Sequence, residues 1–181
     1  MTATEFRSTL IQHDRRSGVR LEGILGYPDE RVWAALTVPA ESARWFPSTL
    51  TVEPRVGGTA IVAGDPNTPD SVGTVLEYEA RHRLAFSWGT NELHIDLTST
   101  AAGECRLVLM DVLTHESEAA RNAAGWGVCL AQLAVHLSGE EADGPHSASA
   151  PSWQETYEGH VGAGLPSGAH IPGVGAGHGL E

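Results

Sequence analysis

Six apolar residues late in the chain, Ala119, Ala123, Trp126, Leu130, Leu133 and Leu137, follow one another at alternating intervals of four and three. Such spacing lines side chains along one face of a 3.6-residue helix and along neither face of a strand. It predicts one continuous helix from Ser117 to Ser138, with Ser117 able to cap it and Gly139 able to end it. At the helical rise this element is roughly 33 Å long. Its apolar stripe needs a cover of matching length, and the residues before it supply one. The segment Cys105–Thr114, read as a strand, spans roughly 33 Å as well.

That strand is the last of a series. Arg7–Gln12, Val19–Leu25, Leu50–Glu53, Thr59–Ala63, Val72–Glu79, Leu84–Trp88 and Glu92–Thr98 read as the others, separated by turn-like stretches such as HDRRSG, VGG, GDPNTPD and AAGE. Leu84, Phe86 and Trp88 share one parity, as do Leu93, Ile95 and Leu97, and Leu107, Leu109 and Leu113. Alternation of this kind marks half-buried antiparallel strands. Between the second and third strands, Pro28 suits a first helical position and Asp29 and Glu30 suit a helix start. Val32, Trp33 and Leu36 then give a short apolar face, and Pro39 opens a second short helix that ends near Pro47. The expected architecture is α+β: a long C-terminal helix across a curved antiparallel sheet, with two short helices after the first strands.

The pattern stops near Ser138. From Gly139 onward glycine, proline, serine and alanine dominate, and a segment of that composition buries too little apolar surface to offset its ordering entropy. The expectation is a folded domain over 1–141 and a mostly disordered tail over 142–181. Its one structured piece is a helical turn over 152–158, where Trp153 and Tyr157 stand four apart. Four histidines, His146, His160, His170 and His178, lie in this tail and read as solvated.

Composition excludes several chemistries. All 11 basic residues are arginine and none is lysine. Schiff-base and pyridoxal-phosphate enzymes and P-loop nucleotide binders each need a lysine, so all are ruled out. A formal net charge of −12 argues against a nucleic-acid partner, because phosphate binding rests on clustered positive charge. No apolar run approaches the ~18 residues that cross a bilayer, so membrane insertion is not expected. The start MTATEFRSTL does not have the layout of a signal peptide. Cys105 and Cys129 have neither metal nor redox spacing, which suits a cytoplasmic protein with two reduced thiols.

The strings YPDERVWAALTVPAESARWFP, RVGGTA, GTVLEYEARHRLAFSWG and GWGVCLAQLAVHLSGEE, in this order, resemble the heat-shock-protein-90 ATPase activator homologue family. The resemblance runs from about Thr9 to Glu141. That family belongs to the START-like (SRPBCC) superfamily, so the resemblance implies a helix-grip fold of the Bet v 1-like kind and a cavity between sheet and long helix. ARHRL at Ala80–Leu84 departs from the family, which usually turns there through prolines. The resemblance does not carry chaperone activation with it, because one fold hosts many functions.

In such a fold the inward residues are Phe86, Trp88, Leu93, Ile95, Leu97, Leu107, Leu109, Trp126, Leu130 and Leu133, either as core or as a pocket wall. Two carboxylates share the inward parity. Asp111 is in phase with Leu107, Leu109 and Leu113, and Glu77 with Val75. A carboxylate in an apolar cleft has a raised pKa and suits acid–base work, unless a bulge turns it outward or an arginine or His115 satisfies it. His94 and Asp96 take the outward parity, His136 the flank of the helix, and Tyr78 falls outside the inner parity. No nucleophile motif or metal spacing occurs, and no cofactor is implied.

The leading expectation is therefore a domain that binds a small hydrophobic molecule, with Phe86, Trp88, Leu93, Ile95, Leu109, Asp111, Trp126, Leu130 and Leu133 as contacts. The enzyme alternative is cyclase- or aromatase-like or hydrolytic chemistry, with Asp111 or Glu77 as acid or base. A chaperone ATPase cofactor is the third reading. A protein partner, a homodimer and a tail that plugs the cavity all stay open.

Overall fold

A computed structural model of the chain describes residues 5–172. The strands are β1 (Arg7–His13), β2 (Arg16–Leu25), β3 (Thr49–Val52), β4 (Thr59–Ala63), β5 (Ser71–Glu79), β6 (Arg83–Trp88), β7 (Asn91–Ser99) and β8 (Cys105–Val112). Helices α1 (Asp29–Thr37) and α2 (Pro39–Ser42) follow β2, α3 (Ala119–Ser138) follows β8, and α4 (Trp153–Gly162) lies in the C-terminal segment. All eight strands join one antiparallel sheet in the order β1-β2-β8-β7-β6-β5-β4-β3. Among the described strands, only the β2–β8 contact joins strands distant in the chain. After β2 the two short helices carry the chain to the far edge, from which it meanders back to close against β2.

The stripe on α3 meets the inward faces of the strands. Leu130, Leu133 and Leu137 share one core with Leu21, Phe86, Leu93, Ile95 and Leu109. Each such side chain contributes roughly 1.5–3 kcal/mol by leaving water, so this seam dominates the stability of the fold. Gly139 ends α3 with φ 84°, the left-handed cap that glycine adopts without a side-chain clash. The start of α3 differs from expectation. Ser117 does not cap it. The chain enters through a 3₁₀ turn at Glu116–Glu118, whose Glu118 carboxylate accepts the His115 backbone N–H at 3.4 Å.

Strand parity fails in one place. The β5–β6 register slips between Val75 and Glu77, so that Val75 faces Phe86, Glu77 faces Ala85 and Tyr78 faces Leu84. A bulge adds one residue and reverses the alternation beyond it. Tyr78 therefore turns inward and meets Trp33 edge-on at 5.7 Å. Glu77, expected inward, turns outward and pairs with Arg83 at 3.2 Å. β8 has no such slip. Asp111 faces Val19 on one side and Leu93 on the other, in phase with the core.

The ARHRL turn has its own function in the fold. Arg81, with φ 70°, reaches back to α1 and donates through Nε and Nη2 to the two Asp29 oxygens at 3.1 and 2.9 Å. These bonds hold the Asp29 carboxyl below its usual range.

The segment after 142 also departs from expectation. Its described part, 142–172, is not a loose tail: it lies on α3, and α4 extends the expected turn to ten residues. No α4 residue is fully buried, and Trp153, Thr156, Tyr157 and His160 are half-buried where the helix lies on α3. The Ser152 hydroxyl accepts the Glu155 N–H at 3.2 Å, and Trp153 stacks on Tyr157 at 5.0 Å. The facing surface of α3 carries Gly125 and Gly127, which leave room for Trp153 and Thr156. Further on, the Pro166 carbonyl accepts the Ala120 N–H at 2.9 Å, and the His170 carbonyl accepts from Arg121 Nη1 at 2.8 Å. The first turn of a helix always has such free donors; here the returning chain satisfies one of them. His178 lies outside the described residues.

Candidate functional site: a cavity floored by a buried carboxylate

A cavity of about 530 Å³ opens beside the first half of α3. Its sheet side is Trp88, Asn91 and Leu93, and its helix side is Asn122, Gly125, Trp126 and Cys129. The loop 64–70 and the C-terminal segment, through His146, Trp153 and Ile171, complete the rim. His146 ties the two together, its Nε2 lying 3.1 Å from the Pro47 carbonyl oxygen and 3.8 Å from Asp65.

Aromatic rings build the apolar wall. Trp88 and Trp126 meet edge-on at 5.9 Å, and Phe46 lies against both with centroid distances of 5.5 Å. Such offset and edge contacts are the favoured arrangements of quadrupolar rings.

Asp111 is the polar floor, 5% exposed. Its Oδ2 accepts from the Trp126 indole N–H at 3.0 Å and from Asn122 Nδ2 at 2.9 Å, and its Oδ1 accepts from Asn91 Nδ2 at 3.2 Å. Each amide is itself oriented. The Asn91 carbonyl accepts from the Thr114 N–H and hydroxyl, and the Asn122 carbonyl accepts from Arg121 Nε. Burial pushes the Asp111 carboxyl above the usual range, because the three donors recover only part of the hydration lost.

Of the residues expected to contact a ligand, Trp88, Leu93, Asp111 and Trp126 line the cavity. Phe86, Ile95, Leu109, Leu130 and Leu133 do not; they are at most 1% exposed and fill the core beneath it. Glu77 is on the other face of the sheet. His94 and Asp96 take that outer face as expected, and His136 pairs with Glu41 at 3.2 Å. Asn91, Asn122 and the rim residues of the C-terminal segment were not foreseen. Asn122 was within reach of sequence reasoning, because it stands four residues before Trp126 and so shares its helical face.

A family model described as Activator of Hsp90 ATPase homolog 1-like protein matches residues 26–138. The chain belongs to that family. The activator-homolog-like region spans α1 to the end of α3 and includes the sheet and helix sides of the cavity. Among solved structures, this family member is similar to CalU16 from Micromonospora echinospora, with 22% identity over 89% of this chain and 92% of that one and a TM-score of 0.70. It is similar to EF2215 from Enterococcus faecalis, with 19% identity over 87% and 90% of the two chains and a TM-score of 0.69. It is also similar to DynU16, a protein of the dynemicin biosynthetic locus, with 27% identity over 70% of this chain and half of that one and a TM-score of 0.59. No curated protein matches the sequence. These likenesses show the helix-grip fold of the START-like superfamily. Among the described residues no helix is long and apolar enough to cross a membrane.

Proposed function

We propose that this chain binds one small, largely apolar molecule carrying a hydroxyl group in the cavity between the sheet and α3. The observation that carries the reading is an aromatic wall ending on a buried, pre-oriented carboxylate. Pockets for small molecules are typically some 300–1,000 Å³, mostly apolar, with a few placed polar groups, and this cavity of about 530 Å³ has that make-up. A carboxylate offers about four acceptor positions. Three are occupied by Asn91, Asn122 and Trp126, which leaves one for a ligand hydroxyl. Trp88 and Trp126 supply the apolar contact. The place of DynU16 in a biosynthetic locus supports a small-molecule ligand for a related cavity.

The raised pKa of Asp111 also favours a second reading, acid–base catalysis on the same apolar molecule. Three fixed donors suit a carboxylate that orients a ligand better than one that exchanges protons, so binding is the stronger reading.

Native mass spectrometry of the untagged protein tests for a retained molecule, and titration with 1-anilinonaphthalene-8-sulfonate tests the cavity itself. One equivalent of dye should bind with quenching of tryptophan emission. A Gly125→Leu substitution puts a side chain on the helix wall of the cavity beside Trp153, whose Nε1 lies 4.0 Å from an added Cβ, and should weaken binding roughly tenfold or more, about 1.4 kcal/mol per decade, while melting stays cooperative. Dye binding unchanged in that variant would overturn the assignment of the cavity.

A further inference from the structure

Beyond the cavity, on the outer face of the sheet, three ligand-type side chains from distant parts of the chain come together. His13 ends β1, and Glu92 and His94 alternate on β7; one ligand atom from each lies within 4.8 Å of the others. The sequence showed no metal spacing here, because His13 and His94 are far apart in the chain and meet only once the sheet has formed. Asp14 and Arg15, both with positive φ, make the two-residue turn between His13 and Arg16. This turn brings the His13 ring to 5.1 Å from that of His94.

We propose that His13, Glu92 and His94 bind a single zinc-class divalent ion. Two imidazoles and a carboxylate are a ligand set that zinc accepts, with a fourth position left for water. Tetrahedral bonds of ~2.0–2.1 Å place neighbouring ligand atoms roughly 3.3 Å apart. One edge already has that length, with His94 Nε2 at 3.2 Å from Glu92 Oε2.

The surroundings fix both ligands on β7. Arg16 Nη1 donates to Glu92 Oε1 at 2.7 Å, which aims the other carboxylate oxygen at His94. Glu77 Oε1 stands 3.8 Å from His94 Nδ1, beyond hydrogen-bond length, and so places a carboxylate on the side of the ring opposite the ligating Nε2. Glu77 in turn pairs with Arg83. The bulge that removes Glu77 from the cavity thus places it behind a candidate metal ligand. All three ligand residues are half-buried, which limits competition from water while leaving an entry path.

The test uses the untagged full chain, stripped with chelator and dialysed to equilibrium against zinc alone, with cobalt absorption as a second readout. The expected result is one zinc per chain, a tetrahedral cobalt spectrum and a zinc-dependent rise in melting temperature. His13→Ala, at the rim of the sheet, and His94→Gln should each lower zinc affinity at least tenfold, and Glu77→Gln should lower it roughly tenfold through His94. His136→Ala, on α3 and paired with Glu41 outside both the cluster and the cavity, should leave it unchanged. Zinc uptake absent from the wild type, or equal in the His13→Ala and His94→Gln variants, would overturn the proposal.

Discussion

The indole N–H of Trp126 donates to Asp111 Oδ2 at 3.0 Å, joining α3 to β8 between two nearly buried side chains. The bond links the two elements that define the fold, and it also forms the floor of the cavity. Stability and the proposed binding therefore meet in this pair.

Removing the carboxylate should cost more than its own bonds are worth. In Asp111→Asn an amide group faces the donors of Asn91, Asn122 or Trp126, and a buried donor left without a partner costs ~1–3 kcal/mol. Urea unfolding should show a loss in that range, with Trp126→Phe milder at about 1 kcal/mol.

Asp111 and Asp29 should respond to pH with opposite sign. Asp111 has a raised folded-state pKa, so it binds protons more readily in the folded state. Its contribution is fully present below the ordinary Asp range and is lost as pH rises through the folded value. Asp29 is lowered by Arg81, so its contribution is present above the ordinary range and lost as pH falls through the folded value. Unfolding at a series of pH values should therefore show the wild-type advantage over Asp111→Asn shrinking as pH rises. The advantage over Asp29→Asn should shrink as pH falls.

Three glycines should separate by sign. Gly125 and Gly127 lie inside α3 with space for a methyl group, the nearest atoms to an added Cβ being 4.0 and 3.5 Å away. Alanine at either should stabilise by about 0.5–1 kcal/mol through helix propensity. At Gly73 an added Cβ would sit 1.8 Å from the Ser87 carbonyl oxygen, so Gly73→Ala should lower the melting temperature.

Both thiols should resist alkylation until the chain unfolds. Burial pushes the Cys105 thiol up to about 11 and raises that of Cys129 further, which keeps the reactive thiolate scarce near neutral pH. Iodoacetamide labelling of Cys105 should track global unfolding in urea. Labelling of the native protein at an unfolded-state rate would contradict this.

The core residues that lie below the cavity give a further separation. Leu109→Ala should cost roughly 2–5 kcal/mol without changing dye affinity per folded molecule, because Leu109 fills the seam and is absent from the wall.

Periodicity reached the architecture because burial imposes it. Leu84, Phe86 and Trp88, or the stripe from Ala119 to Leu137, repeat with the geometry of the element that hides them. Asp111 was legible for the same reason, since β8 runs without a slip. Glu77 was not, because a bulge leaves no mark in the alternation preceding it. Phe86, Ile95, Leu109, Leu130 and Leu133 carry the same signature whether they fill a core or face a void, so only packing could sort them from Trp88 and Leu93. The order of the C-terminal segment is not legible in its sequence for a different reason. Its order comes from backbone bonds such as Ala120 to Pro166 and from the glycine face of α3, neither of which is encoded in its own composition.

The docking of α4 on α3 has one more consequence. The cavity has walls of two kinds: sheet and α3 residues rooted in the core, and rim residues such as Trp153 and Ile171 on a segment whose helix fully buries no side chain. Substitutions on the first kind are constrained by folding. Those on the second are constrained less. Selectivity for the proposed ligand can thus drift along the last part of the chain while the scaffold beneath stays as it is.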